Sequence, residues 1–212
     1  MRFDLVAERL ASLPARLPSA ADSLLPVILD DRALPPRLPP AGAAARPAAV
    51  LVLVHPDADG MARVVLTERA TRDGHHSGEV SFPGGRAEPG DGDPPATALR
   101  EAAEEVALDP VAAGVRVVGE LDRLWIPVSN FAVTPVLALA TRSPRLVPSE
   151  AEVARILHAP LDRFLPDAPV EIVERTVRDW PLRYGAYAVD GLSVWGATAR
   201  ILSQLGALVA PD

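Results

Sequence analysis

The sequence predicts an α/β domain, and three observations support this class. Strand-like segments rich in β-branched residues are interleaved with two segments that have the apolar spacing of helices. The chain has 212 residues, which suits one domain with elaborations or at most two small domains. Apolar residues make up 49% of the chain, so a sizeable hydrophobic core is available.

The N-terminal region, residues 1–47, is predicted to form a helix and a proline-rich arm ahead of a main domain at residues 48–212. Residues 3–13 carry leucine and valine at helical spacing, which predicts a short amphipathic helix. From residue 14 onward, repeated proline and alanine favour an extended chain, because proline fixes φ and lacks a backbone donor. This segment is either an arm of the domain or a simple linker.

Short runs of apolar and β-branched residues, bounded by turn residues, predict the strands of the main domain. These strands are residues 49–55, 63–69, 115–121, 132–140, 170–178 and 183–189. Turn signals at residues 57–60 and 179–182 predict that the first two and the last two strands form hairpins. Pro135 either makes the 132–140 strand an edge strand or delays its start. Residues 152–159 are ambiguous.

Two helices are predicted in the main domain. Asp93 can cap the N-terminus of the first, Pro94 suits its first turn, and residues 96–106 are mostly good helix formers. Residues 194–208 have the spacing of an amphipathic C-terminal helix.

Composition and charge exclude several kinds of site. The chain has no cysteine, which rules out disulfides and cysteine metal sites, and all 21 basic residues are arginine. A net charge of −7 argues against nucleic-acid binding.

The apolar runs at residues 48–54 and 136–140 are far shorter than the roughly 20 residues that cross a membrane. Charged residues interrupt the N-terminal apolar stretch, so no signal peptide is recognised and a cytoplasmic location is expected.

The first helix of the main domain carries a group of acidic residues on one side. Glu101, Glu104 and Glu105 fall within an arc of about 100° on a helical wheel. The opposite side is expected to pack and carries Leu99, Ala102, Ala103 and Val106. Carboxylates at this spacing repel one another, and a hard divalent cation such as Mg²⁺ or Mn²⁺ relieves the repulsion. Arg100 lies four residues before Glu104 and can orient that carboxylate. The alternative is a solvated acidic face, which many surface helices have.

Residues 85–108 resemble the Nudix box, in which a glycine and an acidic residue precede an Arg-Glu-U-x-Glu-Glu-x-Gly-U sequence with U apolar. Residues 100–108 match the second half of this pattern, and Gly85 matches its start. Two departures are visible. Ala107 replaces the glycine of the box, and the spacer is one residue longer, with Asp91 at the acidic position.

A longer stretch is similar to the coenzyme A pyrophosphatase branch of the same superfamily. The matching segments lie at residues 65–70, at Gly78, and at residues 82–85, 126–131, 134–136 and 195–202. Gly74 stands where the branch has arginine, and Arg72 is the nearby candidate to replace it.

This resemblance implies a Nudix-type α/β/α sandwich with a mixed sheet and a catalytic loop-helix-loop. Glu101 and Glu105 become the expected main ligands of Mg²⁺ or Mn²⁺, with a backbone carbonyl from the Gly85 region. Glu104 is expected to bind a further metal ion or to help activate the attacking water, with Arg100 as its orienting partner. Relatives often use one more acidic residue from a later loop, for which Glu152 is the candidate and Glu150 the alternative.

The expected substrate-binding residues come from the segments around the box. They are Arg69, Arg72, His76, Gly78, Phe82 and Gly84. Arg69 is expected to contact phosphate, although an ion pair with Asp91 or Glu88 is equally compatible with the sequence. Trp125 fits either adenine stacking or core packing, and Trp195 is expected to pack.

The activity implied by the resemblance is hydrolysis of coenzyme A or acyl-coenzyme A to 3′,5′-ADP and 4′-phosphopantetheine or its acyl form. Gly74 keeps open another nucleoside diphosphate substrate, such as ADP-ribose, NADH or a dinucleotide. An alternative from another class is a non-catalytic binding module with the same fold. The expected partner is a small nucleotide, without nucleic acid or membrane, and a homodimer is left open.

Overall fold

A computed structural model describes residues 1–30, 44–70, 79–127, 129–177 and 179–211 of the chain. Its strands are β1 (Val27–Ile28), β2 (Arg46–Pro56), β3 (Ala62–Arg69), β4 (Val80–Ser81), β5 (Gly84–Arg86), β6 (Val115–Glu120), β7 (Leu124–Ile126), β8 (Phe131–Ala140), β9 (Val153–Pro160), β10 (Glu171–Val177), β11 (Trp180–Val189) and β12 (Leu192–Val194). Its α-helices are α1 (Phe3–Arg9), α2 (Pro94–Val106), α3 (Pro110–Ala113) and α4 (Gly196–Val209).

The centre of the fold is an eight-stranded mixed sheet with the main order β4-β3-β2-β8-β6. Strands β2 and β8 run parallel through its middle, and most of their residues are buried. Strands β5 and β7 add to β2 and β8, and β9 lies antiparallel along β3. A second sheet has the order β1-β11-β10, with β12 also paired to β11.

Two apolar cores lie on opposite faces of the main sheet. On one face, α2 packs Ala98, Ala102 and Val106 against strands β2 and β8. The other face is covered by α1, α4 and the second sheet, whose buried residues form the larger core. This layering confirms the predicted α/β sandwich and places α2 on one face, beside β5, with Ala113 of α3 in the same core.

The predicted hairpins are present. Strands β2 and β3 pair antiparallel, as do β10 and β11, although β11 begins at Trp180 and its turn is therefore shorter than expected. The ambiguous segment at residues 152–159 contributes strand β9.

The expectation of an edge strand or a delayed start at Pro135 was wrong, because β8 lies between β2 and β6 and already begins at Phe131. Strand β6 pairs with β8 only from Val136 onward, and β7 pairs only up to Val133. Pro135 lies between the part of β8 that pairs with β7 and the part that pairs with β6. Strand pairing requires no backbone N–H group there, so proline is tolerated. Its carbonyl oxygen accepts a hydrogen bond from the Leu121 amide at 2.9 Å.

The described part of the N-terminal region packs on the main core. Val6 and Leu10 are fully buried, although α1 ends at Arg9, before the predicted boundary. The segment that follows is fixed to α4 by side-chain hydrogen bonds. The Ala21 amide donates to Ser203 Oγ at 2.9 Å, and Gln204 Nε2 donates to the Pro18 carbonyl at 2.8 Å. Of the helices in the described ranges, none is long and apolar enough to cross a membrane.

Candidate active site

The acidic helix α2 is built as its sequence predicts. The Asp93 side chain accepts a hydrogen bond from the Ala96 amide at 2.8 Å, and proline occupies the first turn. The helix ends at Ala107, which adopts the left-handed conformation with φ of 52°. Glycine is favoured at this position because it lacks the Cβ that makes the conformation unfavourable. The box glycine that this chain lacks therefore corresponds to a helix cap.

The three glutamates of α2 differ in their exposure. Glu104 is exposed at 60% of its side chain, and Glu101 is only partly exposed. Glu105 is 7% exposed and faces the main sheet, whereas Ala103, which the helical wheel places on the packed side, is exposed. The prediction of one packed face and one acidic face is therefore wrong for Ala103 and Glu105, because the buried face of α2 includes Glu105 and leaves Ala103 exposed.

A glycine pair at the start of β5 lies directly against these carboxylates. The Gly84 amide donates to Glu105 Oε2 at 3.1 Å, and Gly84 has φ of 154°. A Cβ at Gly84 would lie 2.5 Å from the Ala49 carbonyl oxygen, and one at Gly85 would lie 2.6 Å from the Glu101 carboxyl group. Gly84 therefore requires glycine for close packing of the turn against β2, whereas a side chain at Gly85 would displace the Glu101 carboxyl group.

Arg100 connects α2 to the preceding loop. Its guanidinium donates to Asp91 Oδ1 at 3.0 Å and to Asp91 Oδ2 at 3.1 Å, and also to Glu104 Oε2 and the Arg86 carbonyl, each at 3.0 Å. It forms an ion pair with Glu101 at 3.0 Å. Arg100 thus contacts Glu104 as predicted, and it also holds the loop that precedes the helix.

Asp91 occupies the acidic position that the sequence assigned to it. Besides Arg100, it accepts hydrogen bonds from the Thr97 hydroxyl at 2.9 Å and the Glu88 amide at 2.8 Å. The Arg100 guanidinium, more than these other donors, holds the pKa of Asp91 well below its usual range. The role of Thr97 was not predicted, because the sequence shows only a polar residue one turn into the helix.

The carboxylates perturb one another electrostatically. Burial raises the pKa of Glu105 to about 7, and the charges of Glu101 and Glu152 act in the same direction. The Gly84 amide and the Arg69 charge oppose this shift. Burial also raises the pKa of Glu101, against the effect of Arg100. Glu152 therefore lies close enough to Glu101 and Glu105 for its charge to act on both.

The position of Glu152 follows from backbone hydrogen bonds that attach its turn to the site. The Ser149 amide donates to the Glu105 carbonyl at 2.8 Å, and the Ala70 amide donates to the Glu152 carbonyl at 2.9 Å. Glu152 is exposed, as is its neighbour Glu150. The fold thus brings to α2 an acidic residue that is distant in sequence.

Arg69 ends strand β3 beside this group. It is exposed, and its charge acts on Glu105. No ion pair joins it to Asp91 or Glu88, both of which lie in the described ranges, and Asp91 is paired with Arg100 instead. The alternative of a structural ion pair with those residues is therefore not realised.

The remaining candidates separate into buried residues and residues that lie outside the described ranges. Phe82 is 2% exposed and belongs to the larger core, so its side chain packs inside the protein. A substrate contact from Phe82 stays a prediction. Arg72, Gly74, His76 and Gly78 fall outside the described residues.

The two tryptophans considered from sequence have structural contacts. Trp125 is partly buried, and its indole Nε1 donates to Asn130 Oδ1 at 3.0 Å. Trp195 packs on Tyr184, with ring centroids 4.7 Å apart.

The donor set fits a hard divalent cation by its chemistry. Oxygen ligands from carboxylates are what Mg²⁺ and Mn²⁺ prefer, and a cation would relieve the charge crowding seen at Glu101 and Glu105. As the side chains stand, no three acidic or histidine residues in the described ranges converge closely enough to enclose a metal ion. Glu101 is paired with Arg100 in this arrangement.

The family of the chain follows from sequence comparison. A sequence model of the NUDIX domain matches residues 45–175. The chain belongs to the Nudix hydrolase family. This Nudix hydrolase is 40% identical over 177 residues to the uncharacterized Nudix hydrolase NudL of Pectobacterium atrosepticum, a match that covers 81% of this chain and 86% of that protein.

Two further comparisons agree with this assignment. Nudix hydrolase 15, mitochondrial, of Arabidopsis thaliana is 37% identical over 73% of this chain and 55% of its own length, so this Nudix hydrolase spans about half of that relative. The crystal structure of a MutT/nudix family protein from Enterococcus faecalis shares the fold, with a TM-score of 0.51 and 14% identity over 82% of this chain and 63% of that chain.

Proposed function

We propose that this Nudix hydrolase is a pyrophosphatase dependent on Mg²⁺ or Mn²⁺ that hydrolyses coenzyme A or acyl-coenzyme A. The products would be 3′,5′-ADP and 4′-phosphopantetheine or its acyl form. The proposed catalytic activity is supported mainly by one observation. Glu101, Glu105 and Glu152 are grouped around the Gly84 turn, with Arg69 beside them. The choice of coenzyme A is supported by the similarity of the segments before and after the box to the coenzyme A pyrophosphatase branch.

The roles of the residues follow from the chemistry of a diphosphate, which is anionic and repels a nucleophile. A bound divalent ion supplies charge neutralisation and a water of lowered pKa. Glu101 and Glu105 are proposed to hold this ion, together with the backbone carbonyl of the Gly85 region. Arg69 is proposed to bind a phosphate oxygen, since its exposed guanidinium lies beside Glu105.

The proton of the attacking water requires a nearby base. Glu152 is the proposed acceptor, because it is exposed and its charge reaches both Glu101 and Glu105. Glu104 is the second candidate, as a ligand of a further metal ion or as a base. Arg100 holds Glu104 by a hydrogen bond of 3.0 Å and is proposed to position it.

Two alternatives remain distinct from this proposal. Gly74, which replaces the arginine of the coenzyme A branch, favours another nucleoside diphosphate derivative such as ADP-ribose, NADH or a dinucleotide. A non-catalytic binding module is disfavoured, because all three glutamates of the helix are present and a fourth carboxylate lies near them. Dimerisation and a cytoplasmic location stay predictions.

A substrate panel tests the proposal directly. Coenzyme A, acetyl-coenzyme A, ADP-ribose, NADH and a nucleoside triphosphate are incubated with Mg²⁺ or Mn²⁺ at mildly alkaline pH, and the products are separated by chromatography. Metal-dependent release of 3′,5′-ADP from coenzyme A is expected. Cleavage of ADP-ribose or NADH instead would support the first alternative, and no turnover of any compound would support the binding module.

A further inference from the structure

An aromatic and arginine cluster lies on the second sheet, outside the group of carboxylates. The indole of Trp195 stacks on the buried ring of Tyr184 at a centroid distance of 4.7 Å and an interplanar angle of 25°. The guanidinium carbon of Arg175 lies 5.4 Å from the centre of the indole, within the range of a cation–π contact. Arg175 is itself exposed, so its N–H donors are accessible to solvent while the indole contacts the guanidinium.

Arg175 differs in this respect from Arg183, which lies on the partner strand β11 of the same hairpin. Arg183 donates to Glu174 at 2.7 Å, on the opposite face of the two strands. In the part of the chain that the structure describes, no carboxylate forms an ion pair with Arg175. Its charge therefore stays available for an anion that approaches from solvent.

The cluster borders the candidate active site on its Arg69 side. Strand β12, which leads to Trp195, packs beside β4, and β4 leads into the Gly84 turn. The carbonyl of Glu79 accepts a hydrogen bond from the Arg69 amide at 3.0 Å, and the Glu79 charge also acts on Tyr184. A substrate with its diphosphate beside Arg69 would extend along this edge toward Arg175.

The place of the cluster in the chain indicates a role in specificity. The NUDIX match ends at residue 175, so Tyr184 and Trp195 belong to a segment beyond the matched domain. The matched domain holds the carboxylates for the chemistry common to the family. Arg175 is the last residue of the match and its aromatic support lies beyond it, so the cluster is suited to recognising the part of the substrate that differs from one enzyme to another.

We propose that Arg175, supported by Trp195, binds a phosphate monoester of the substrate that is separate from the scissile diphosphate. For the proposed substrate this group is the 3′-phosphate of coenzyme A, so the inference rests on the proposed function. A planar guanidinium matches a phosphate through two parallel hydrogen bonds, and the cation–π contact with the indole restricts its motion before binding.

Kinetics with two substrates test this inference. Coenzyme A and 3′-dephospho-coenzyme A differ only in the proposed ligand, and both keep the scissile bond. The wild-type enzyme is expected to favour coenzyme A in kcat/KM by about 10-fold or more, as charge-assisted hydrogen bonds commonly do. In Arg175→Ala this preference is expected to disappear through a higher KM for coenzyme A, with the dephospho form changed less than about twofold.

Arg183→Ala is the matched control, because it removes the same charge from the same hairpin and should keep the preference. Arg175→Lys should restore part of it, since the charge remains without the planar donor pair. A wild-type enzyme without preference for coenzyme A, or an Arg175→Ala variant that keeps the preference, would overturn the inference.

A binding measurement separates failure of the inference from failure of the proposed function. If neither substrate is hydrolysed, the coenzyme A activity is refuted, and calorimetry with 3′,5′-ADP and 5′-AMP then decides the role of Arg175. A loss of about 10-fold in affinity of Arg175→Ala for 3′,5′-ADP alone would support the phosphate site. An equal effect on both ligands, or no binding of either by the wild-type protein, would overturn it.

Discussion

At the scale of single residues, shielding from water distinguishes the carboxylates of the site. Glu105 is almost fully covered and accepts the Gly84 amide, whereas Glu104 is largely solvated and contacts Arg100. A covered carboxylate with a raised pKa gains from a cation more than an exposed one does, because water stabilises its charge less. Glu105 is therefore the side chain on which the proposed metal site depends most.

Glu105→Gln is expected to lower kcat/KM by more than about 100-fold, since even outer partners of metal ligands commonly contribute 10- to 100-fold. The fold should persist, because the glutamine oxygen can still accept the Gly84 amide. Steady-state kinetics and a thermal melt measure the two effects. Glu120→Gln, a change at an exposed glutamate at the end of β6, should leave both unchanged. Full activity in Glu105→Gln would remove this residue from the site.

Glu152→Gln is expected to lower kcat by about 100-fold or more if Glu152 accepts the proton of the attacking water. Its Tm should stay close to that of the wild type, because the side chain is exposed. Glu150→Gln changes the neighbouring exposed carboxylate and is the natural comparison. A larger loss in Glu150→Gln than in Glu152→Gln would reverse the assignment of these two residues.

A histidine pair away from the site predicts a pH dependence of stability. His55 Nδ1 lies 2.9 Å from the Pro56 carbonyl, so it carries the proton, and Nε2 lies 2.8 Å from His158 Nδ1. Burial lowers the pKa of His55 from 6.5 to about 4. The unfolded chain then binds more protons between these values, so the free energy of unfolding decreases as the pH falls from 6.5 toward 4.

Chemical denaturation across this pH range measures the effect. The contribution of His55 is limited to one proton, or about 1.4 kcal/mol per pH unit. His55→Gln should therefore show a shallower slope than the wild type, whatever its absolute stability. Equal slopes would show that His55 titrates normally in the folded protein.

At the scale of elements, helix α2 depends on its two ends. Asp93 and proline define the N-terminus by local hydrogen bonding and a fixed φ. At the C-terminus, Ala107 adopts a left-handed conformation, and the Leu108 amide donates to the Ala102 carbonyl at 3.2 Å. The element is therefore well defined at its start and strained at its end, next to Glu104 and Glu105.

Ala107→Gly is expected to stabilise the protein by about 0.5–1 kcal/mol. Glycine removes the cost of the left-handed conformation, and part of this gain is offset by its greater freedom in the unfolded chain. Denaturant titration measures the change. Ala103→Gly, at an exposed position in the middle of the same helix, should instead destabilise by about 1 kcal/mol. Destabilisation by both changes would contradict the role of Ala107 as a left-handed cap.

At the scale of the whole molecule, the larger core joins segments from both ends of the chain. It includes Val6, Leu10 and Leu24 from the N-terminal region and Leu202 and Leu205 from α4. These residues lie outside the NUDIX match at residues 45–175. The matched domain alone would expose one face of its main sheet, so the terminal segments complete the fold.

Removal of residues 1–25 is expected to prevent stable folding. Burying one large aliphatic side chain contributes about 1.5–3 kcal/mol, and three fully buried residues are lost, which approaches the whole stability of a typical domain. Circular dichroism and denaturation of the 26–212 chain measure the outcome. Leu10→Ala in the full chain should destabilise by about 2–5 kcal/mol. A cooperative, fully stable 26–212 chain would show that the N-terminal region is dispensable.

Local signals in the sequence were sufficient to predict helix α2, its boundaries and the spacing of its three glutamates, because caps, proline and helical periodicity act over a few residues. It also indicated Asp91 and Glu152 as acidic candidates, but not what they contact. Three features emerged from the folded structure alone: Glu105 is buried, Glu152 lies near it, and Pro135 lies inside the sheet. Burial and long-range proximity depend on which sheet face a helix packs against and which strands become neighbours, and local periodicity does not specify either.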